Sequence, residues 1–540
     1  LDKVEQRSSK VFVQCIGRVL RLDTNNLKKF GLIIDIRAKN SYSICNNLNE
    51  YLNLPSSIFP WKYSYITVNL KGKLFKINTL TMTKDNLAIQ SYIPIQFPTS
   101  NNIQDLFIRK LPESTIYQER LRYELNLIER KNLFSHLIHA IQILNITKNI
   151  PHITRGSCGS SLVCYLLGIS HIDPIKNNIR FSRFLNEYRN NLPDIDLDFP
   201  HNLRDEVFLK IELQWPGKVA RISNHVYYHE KSALRQAIRN AGIHKFISKN
   251  DINKEIKSLS KDTQHFIHNE KKKLENTFKC YSLHCGGIVY YPDGVPDDIL
   301  INNNTNSIKQ IKMNKNDISK EQNFKIDILS SRGLSQLYEI YKYKLIPFEE
   351  FNYDYDTFNM LHNGDNIGIT LAESPLMRIA FIKFKPTTLY ELAVCLSIIR
   401  PAAKDARNID LSLQNFNDLI IFDDDAIDII SQQCNISEED ADKYRRAFAK
   451  GDKQSIAEFK NIISHLSKEK QKNIMTRLSN LSRYGFCKAH AFSYAQLVWK
   501  LAFMKAHFPK QFWKATLNNC DSSYKKWVHL YEAKLAGIDV

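Results

Sequence analysis

The chain has 540 residues, 43% of them hydrophobic and 24% charged, which exceeds what one hydrophobic core serves and excludes disordered, collagenous and disulfide-scaffold classes. Its net charge of +19, from 75 basic and 56 acidic residues, points to a polyanionic partner. No apolar run reaches the roughly eighteen residues that span a bilayer, the opening residues Leu-Asp-Lys-Val-Glu show no signal-peptide pattern, and ten scattered cysteines without a Cys-x-x-Cys pair read as reduced intracellular thiols.

Residues 1–100 read as β-rich. Val11 to Leu22, Tyr63 to Leu70, Leu74 to Met82 and Leu87 to Ile95 show strand-like alternation or β-branched content between Asn and Pro clusters. A small OB-like barrel and a generic β-domain both suit this pattern. Tyr63, Tyr65 and Phe75 read as core residues, or as stacking surfaces if the domain binds single strands. Residues 101–200 turn helical, with apolar spacing of three and four from Glu119 to Leu144. Residues 155–161 are Arg-Gly-Ser-Cys-Gly-Ser-Ser, followed by the apolar run Leu162 to Ile169. A small-residue loop opening a helix is expected to present backbone N–H groups at a positive helix end, which suits phosphate. It lacks the Lys-Ser/Thr pair of a P-loop, so ATP hydrolysis of that type is not expected.

Residues 193–199 are Pro-Asp-Ile-Asp-Leu-Asp-Phe. On an extended strand Asp194, Asp196 and Asp198 share one face, while Ile195, Leu197 and Phe199 enter a core. Carboxylates on one face repel each other unless a cation sits among them, and hard oxygen donors suit a divalent ion. The plainer alternative is an acidic loop after Pro193 or a helix cap. Ser157 precedes Asp194 by 37 residues. A glycine–serine loop followed by an Asp-x-Asp pair is the layout of nucleotidyltransferases, in which the loop holds a triphosphate and the acids hold metals.

Downstream, residues 201–280 read as helical and basic, with twelve Lys or Arg against five Asp or Glu between Lys231 and Lys279. Asn302 to Asn306 reads as a surface loop. Residues 340–540 read as mostly helical, ending in a periodic run from Ala491 through Ala506 that Pro509 interrupts. Between Asp418 and Asp442 there are nine acids and no base. Charge sorted in this way suits one face that tracks phosphates.

Several blocks in one register resemble the bacterial DNA polymerase III alpha subunit, the family C polymerases. They are Arg155 to Ile169, Asp173-Pro174, Phe181-Ser-Arg183-Phe-Leu-Asn186, the acidic heptad, His284-Cys285-Gly286-Gly287 and Lys325-Ile326-Asp327. Ile399-Arg400-Pro401, Arg445-Arg446-Ala447 and Tyr484-Gly485-Phe486-Cys487-Lys488-Ala489-His490 follow in order. The resemblance runs from about residue 110 to the C-terminus and implies an α+β multidomain protein. Its parts would be a β-rich, OB-like domain (1–100), a polymerase-beta-like nucleotidyltransferase palm (101–200 and 280–340), a basic helical thumb (201–279) and helical fingers (341–540).

The resemblance also implies roles. Asp194, Asp196 and Asp327 would be the catalytic acids and hold two Mg²⁺ ions, while Asp198 matches a further family acid and is the doubtful member of the triplet. Gly156, Ser157, Arg183, Lys325, Arg445, Arg446, Lys488 and His490 would bind the nucleotide, and Lys231, Lys271, Lys272 and Lys273 duplex phosphates. Read singly, Asp327 could be a turn residue, Arg445 and Arg446 could balance the acidic run, His284 is a packed histidine, and each lysine is merely solvated. The chain departs from the family at Ser160-Ser161, Cys487 and Ala489, where the family has a glycine–serine pair, Asn and Ser.

The expected function is template-directed DNA synthesis in the cytoplasm, at the nucleoid or in a phage host. Primer-template DNA and dNTPs are the partners, replisome proteins are further candidates, and no membrane is involved. A template-independent nucleotidyltransferase and a non-catalytic nucleic-acid-binding relic are the alternatives. A minimal core or a fragment is expected, without the family's phosphoesterase-type and clamp-binding regions and without proofreading in cis.

Overall fold

The computed structural model describes residues 61–70, 73–82, 103–188, 193–244, 251–301, 308–321, 323, 325–348, 351–399, 421–479, 486–519 and 524–539. The expected strands at 11–22 and 87–95, the Asn302 to Asn306 loop, and the motif residues Arg400, Pro401, Tyr484 and Gly485 lie outside them. Two compact units emerge, one of residues 1–217, 305–307 and 324–540, the other of 218–304 and 308–323. The architecture mixes α and β.

In the first unit β1 (Trp61–Leu70) and β2 (Lys73–Met82) pair antiparallel, from Trp61 opposite Met82 to Leu70 opposite Lys73. Helices α1 (Thr115–Arg130) and α2 (Phe134–Ile146) follow, and each buries one apolar stripe. Next come β3 (Ile153–Arg155), the short α3 (Leu162–Leu166), β4 (Ile195–Pro200) and α4 (Arg204–Gln214). Ile195, Leu197 and Phe199 of β4 are fully buried, as period-two alternation demands.

The second unit holds β5 (Val219–Tyr227), α5 (Glu230–Asn240), α6 (Ile252–Lys257), α7 (Lys261–Leu274), β6 (Phe278–Tyr290) and α8 (Lys315–Lys320). Its two strands pair antiparallel. One core gathers Ala220, Ile222, Val289, Ile311 and Ile318, and another Ala237, Ile238 and Ile267.

Back in the first unit, β7 (Lys325–Ser331) runs parallel to β4, while β3 flanks β4 antiparallel on the other side. Ser331 caps α9 (Arg332–Ile340) by accepting from Leu334 N. The helices α10 (Tyr355–His362), α11 (Pro375–Phe384), α12 (Leu389–Ile398), α13 (Asp423–Cys434), α14 (Glu438–Lys450), α15 (Lys453–Ile462) and α16 (Lys468–Ser479) lead to α17 (Lys488–His507). Helix α17 is buried over most of its surface, with Ala491, Phe492, Ala495, Leu497, Val498, Leu501 and Ala502 almost wholly covered. It packs against β3, α9, α10 and α12. Helices α18 (Pro509–Asn519) and α19 (Lys526–Leu535) close the described chain.

One internal anion ties this arrangement together. Glu124 of α1 is completely buried and accepts from Ser161 Oγ (2.7 Å), Leu162 N (3.0 Å) and Val163 N (3.1 Å). Arg120 Nε balances its charge at 2.6 Å. The carboxylate therefore fills the N-terminus of α3, where unsatisfied N–H groups favour negative charge. Glu124→Ala orphans those donors and leaves Arg120 without its counter-ion, so it should destabilise the first unit by about 3 kcal/mol, read as a lower urea midpoint.

Candidate active site

Strand β4 positions the acids. Asp196 lies opposite Arg155 of β3 on one side and Asp327 of β7 on the other. Two carboxylates set side by side by strand register repel each other. Lys325, one pleat repeat before Asp327, offsets this. Its Nζ is 2.8 Å from Asp327 Oδ2 and 3.5 Å from Asp194 Oδ1. Burial works against the charge of Lys325, yet Asp327, Asp194 and Asp196 together hold its pKa above the ordinary value. For Asp196, burial and then the charges of Asp327 and Asp194 push the carboxyl up to about 7, outweighing Lys325 and Arg155. Asp196 Oδ1 is buried and has no hydrogen-bond partner among the described residues.

Gly156 closes over the other oxygen of Asp196. A Cβ at this position would sit 2.9 Å from Asp196 Oδ2, and its φ of +73° is left-handed, so steric room and backbone both require glycine. Asp198, two residues on, has a different fate. Arg155 grips it with Nε (3.0 Å) and Nη2 (2.6 Å), and Tyr494 Oη donates to it at 2.8 Å. Asp198 is wholly buried in this network. The acidic face thus splits, with Asp194 and Asp196 beside Asp327 and Lys325, and Asp198 committed to Arg155 and Tyr494.

As the side chains stand, no group of three His, Cys, Asp or Glu among the described residues is closed around a metal position. Lys325 supplies the positive charge amid the acids. The donor set nevertheless fits a hard divalent cation, because it is all carboxylate and includes the unsatisfied Asp196 Oδ1.

The loop at 155–161 differs from its sequence reading. The backbone N–H groups that open α3 are not open to phosphate, because Glu124 already accepts from Leu162 and Val163. Ser157 and Ser160 are themselves buried. The loop packs on the start of α17 instead. Cys487 Sγ donates to Gly156 O at 3.2 Å, and a Cβ on Gly159 would meet that of Ala489 at 3.1 Å. Burial pushes the Cys487 thiol up to about 11, so it remains a protonated donor. The two departures Cys487 and Ala489 are therefore the residues that touch the glycine loop.

The cations converge with counter-ions attached. Arg183 donates to Asp423 Oδ2 from Nε (3.2 Å) and Nη2 (3.0 Å). Arg445 bonds Asp442 Oδ1 (2.8 Å) and stands 3.4 Å from Asp423 Oδ2. Arg446 Nε lies 2.7 Å from Asp442 Oδ2, where Asn186 Nδ2 also donates at 2.8 Å. Burial, with Arg445 and Arg183 nearby, lowers the pKa of Arg446 against the pull of Asp442. Lys488 is buried, donating from Nζ to Asn178 O (2.8 Å) and from its backbone to Asp424 Oδ2 (3.2 Å). His490 lies between the rings of Phe486 (4.8 Å) and Tyr494 (4.4 Å).

In the second unit Lys231 and Lys272 are exposed, Lys271 pairs with Glu230 at 3.1 Å and Lys273 with Glu270 at 4.0 Å. His284 Nδ1 accepts from Gly287 N at 2.8 Å, the packing role its glycine turn suggests. Sequence reasoning passed over Glu124, Asp423, Asp442 and Tyr494. Only the acidic run signalled the aspartates, and nothing local signalled the others.

Two family models match the chain. The bacterial DNA polymerase III alpha NTPase domain covers residues 95–330, and the bacterial DNA polymerase III alpha subunit finger domain covers 309–415. The DNA polymerase III subunit alpha of Staphylococcus aureus MRSA252 is 27% identical over 485 residues, 79% of this chain and 45% of that protein. The DNA polymerase III subunit alpha of Ureaplasma parvum serovar 3 is 26% identical over 556 residues, 92% of this chain and 55% of that protein. The chain spans about half the length of these curated relatives. Its mixed helices and sheet fit an α+β polymerase. The chain belongs to the bacterial DNA polymerase III alpha subunit family.

Removing Arg155 strands the buried Asp198 charge. Arg155→Gln should cost about 3 kcal/mol in chemical denaturation. Asp198→Asn combined with Arg155→Gln should cost less than the sum of the two single changes, the signature of one coupled pair in a double-mutant cycle.

Proposed function

We propose that this chain is a template-directed DNA polymerase that adds dNTPs to a primer 3′ end and releases pyrophosphate. The observation that carries the reading is the register of β4 with β7, which puts Asp196 beside Asp327 in a chain of this family. Residues 101–200 and 280–340 form a polymerase-beta-like palm on β3, β4 and β7 in this reading, 201–279 a thumb, 341–540 fingers and 1–100 an OB-like domain. The reading places the protein with the DNA, in the cytoplasm. Among the described residues no helix is long and apolar enough to cross a membrane.

Asp194, Asp196 and Asp327 would hold two Mg²⁺ ions. Bound there, the ions would lower the pKa of the primer hydroxyl and neutralise charge on the triphosphate. The rest falls to the chain's own groups. Lys325 holds the carboxylates of Asp194 and Asp327 to one side, and Gly156 keeps the space that Asp196 needs. Arg183, Arg445 and Arg446 would exchange Asp423 and Asp442 for phosphate oxygens, which guanidinium forks bind well. Gly156 and Ser157 would border the same phosphates. Lys488 and His490, packed inward, would act by fixing the start of α17. Lys231, Lys271, Lys272 and Lys273 would track duplex phosphates, and replisome proteins would be further partners.

Primer extension on a defined template with Mg²⁺ tests the reading. Asp196→Asn should reduce extension by about a thousandfold or more while duplex affinity changes less than about twofold. Near wild-type extension by that variant would falsify the site, and homopolymer tailing without a template would overturn the templated reaction. Chelation by EDTA should stop synthesis, with recovery when Mg²⁺ is restored. Gly156→Ala should lower kcat about a hundredfold by moving the Asp196 carboxylate, with primer-template affinity retained.

A further inference from the structure

The β5–β6 pair carries an aromatic surface whose geometry depends on a bulge. Its register sets His225 opposite Tyr281, Val226 opposite Cys280 and Tyr227 opposite Phe278, so Lys279 is the extra residue. On an unbroken strand Phe278 and Tyr281 would point to opposite faces. With the bulge their rings lie 4.8 Å apart. The ring of His225 is 5.9 Å from Phe278 and 5.4 Å from Tyr281, and Tyr227 is 6.2 Å from Phe278. His225 is itself anchored, through Nε2 to Lys312 O at 2.8 Å and through Nδ1 to Asn314 Nδ2 at 2.9 Å.

These rings are not core. Tyr227 is 43% exposed, Phe278 45% and Tyr281 38%. Neither hydrophobic core of the second unit includes them. Clustered rings kept this open to water mark an interaction surface. The neighbouring chain selects the partner. Lys271, Lys272 and Lys273 end α7 just before Phe278, and Lys279 occupies the bulge with its Nζ 5.3 Å over the ring of Tyr228. The stretch from 231 to 279 has twelve basic and five acidic residues. Partly exposed rings bordered by lysines match a strand whose bases are unpaired and whose phosphates are exposed, since stacking is tolerant of sequence and lysines follow the backbone.

We propose that Tyr227, Phe278 and Tyr281 form a stacking platform for unpaired bases of single-stranded DNA, with Lys271, Lys272, Lys273 and Lys279 drawing its phosphates. A polymerase's grip on duplex DNA needs no such platform. The proposal rests on the aromatic surface, which the polymerase reading does not use; only Lys271, Lys272 and Lys273 are shared with the duplex contacts of that reading.

The test uses the full chain and fluorescence anisotropy with three labelled probes: oligo(dT), an abasic oligomer of equal length, and a blunt duplex. The double variant Phe278→Ala with Tyr281→Ala should bind oligo(dT) about tenfold or more weakly and the duplex within about twofold of wild type. The ring-preserving variant Phe278→Tyr with Tyr281→Phe should bind oligo(dT) like wild type. Wild type should bind the abasic strand weakly, and the alanine variant should lose nothing further on it. Ultraviolet cross-linking of an iododeoxyuridine oligomer should map to a β5–β6 peptide.

The proposal is overturned if the alanine variant, with an unchanged urea midpoint, keeps wild-type affinity for oligo(dT), or loses the duplex equally. It is also overturned if the cross-links fall only elsewhere, the outcome expected if the surface serves a protein partner. Primer extension by the wild-type chain decides the polymerase reading separately.

Discussion

The site depends on a repulsion that the fold imposes and then contains. Parallel pairing of β4 with β7 forces Asp196 against Asp327, and the buried Lys325 reaches Asp327 at 2.8 Å and Asp194 at 3.5 Å. An acid strand of this kind is stable only while something positive remains within reach. The surroundings serve that condition. Gly156 leaves Asp196 its space, Arg155 and Tyr494 withdraw Asp198 from the cluster, and α17 packs against β3.

The arginines show the same economy of charge. Arg183, Arg445 and Arg446 approach one another although like charges repel, because Asp423 and Asp442 are interleaved with them. These carboxylates make the cluster stable without an external anion. In the proposed reaction they would also set a threshold, since a ligand must offer more negative charge than the two aspartates to displace them. A triphosphate does so and a lone carboxylate does not.

Legibility in the sequence followed locality. Alternation along 193–199 exposed the acidic face and its apolar back, and periodicity exposed the long helix begun near Lys488. What decides the fate of each acid is not local. Tyr494 meets Asp198 across 296 residues, and Glu124 reaches the start of α3 across 38. A small-residue loop looks the same in sequence whether its helix end is open or filled, so the expected phosphate cradle at α3 could not be told from a plugged one. The bulge at Lys279 was likewise invisible, because strict alternation separates the rings that the bulge unites.

The contact between the glycine loop and the head of α17 has a consequence for descent. Gly156 and Cys487 share a hydrogen bond across 331 residues, and Gly159 leaves Ala489 almost no clearance. Bulk or polarity added on one side must be given up on the other. The two stretches therefore form a single unit of variation. Lineages that swap one without its counterpart should be scarce, whatever the drift in the chain between them.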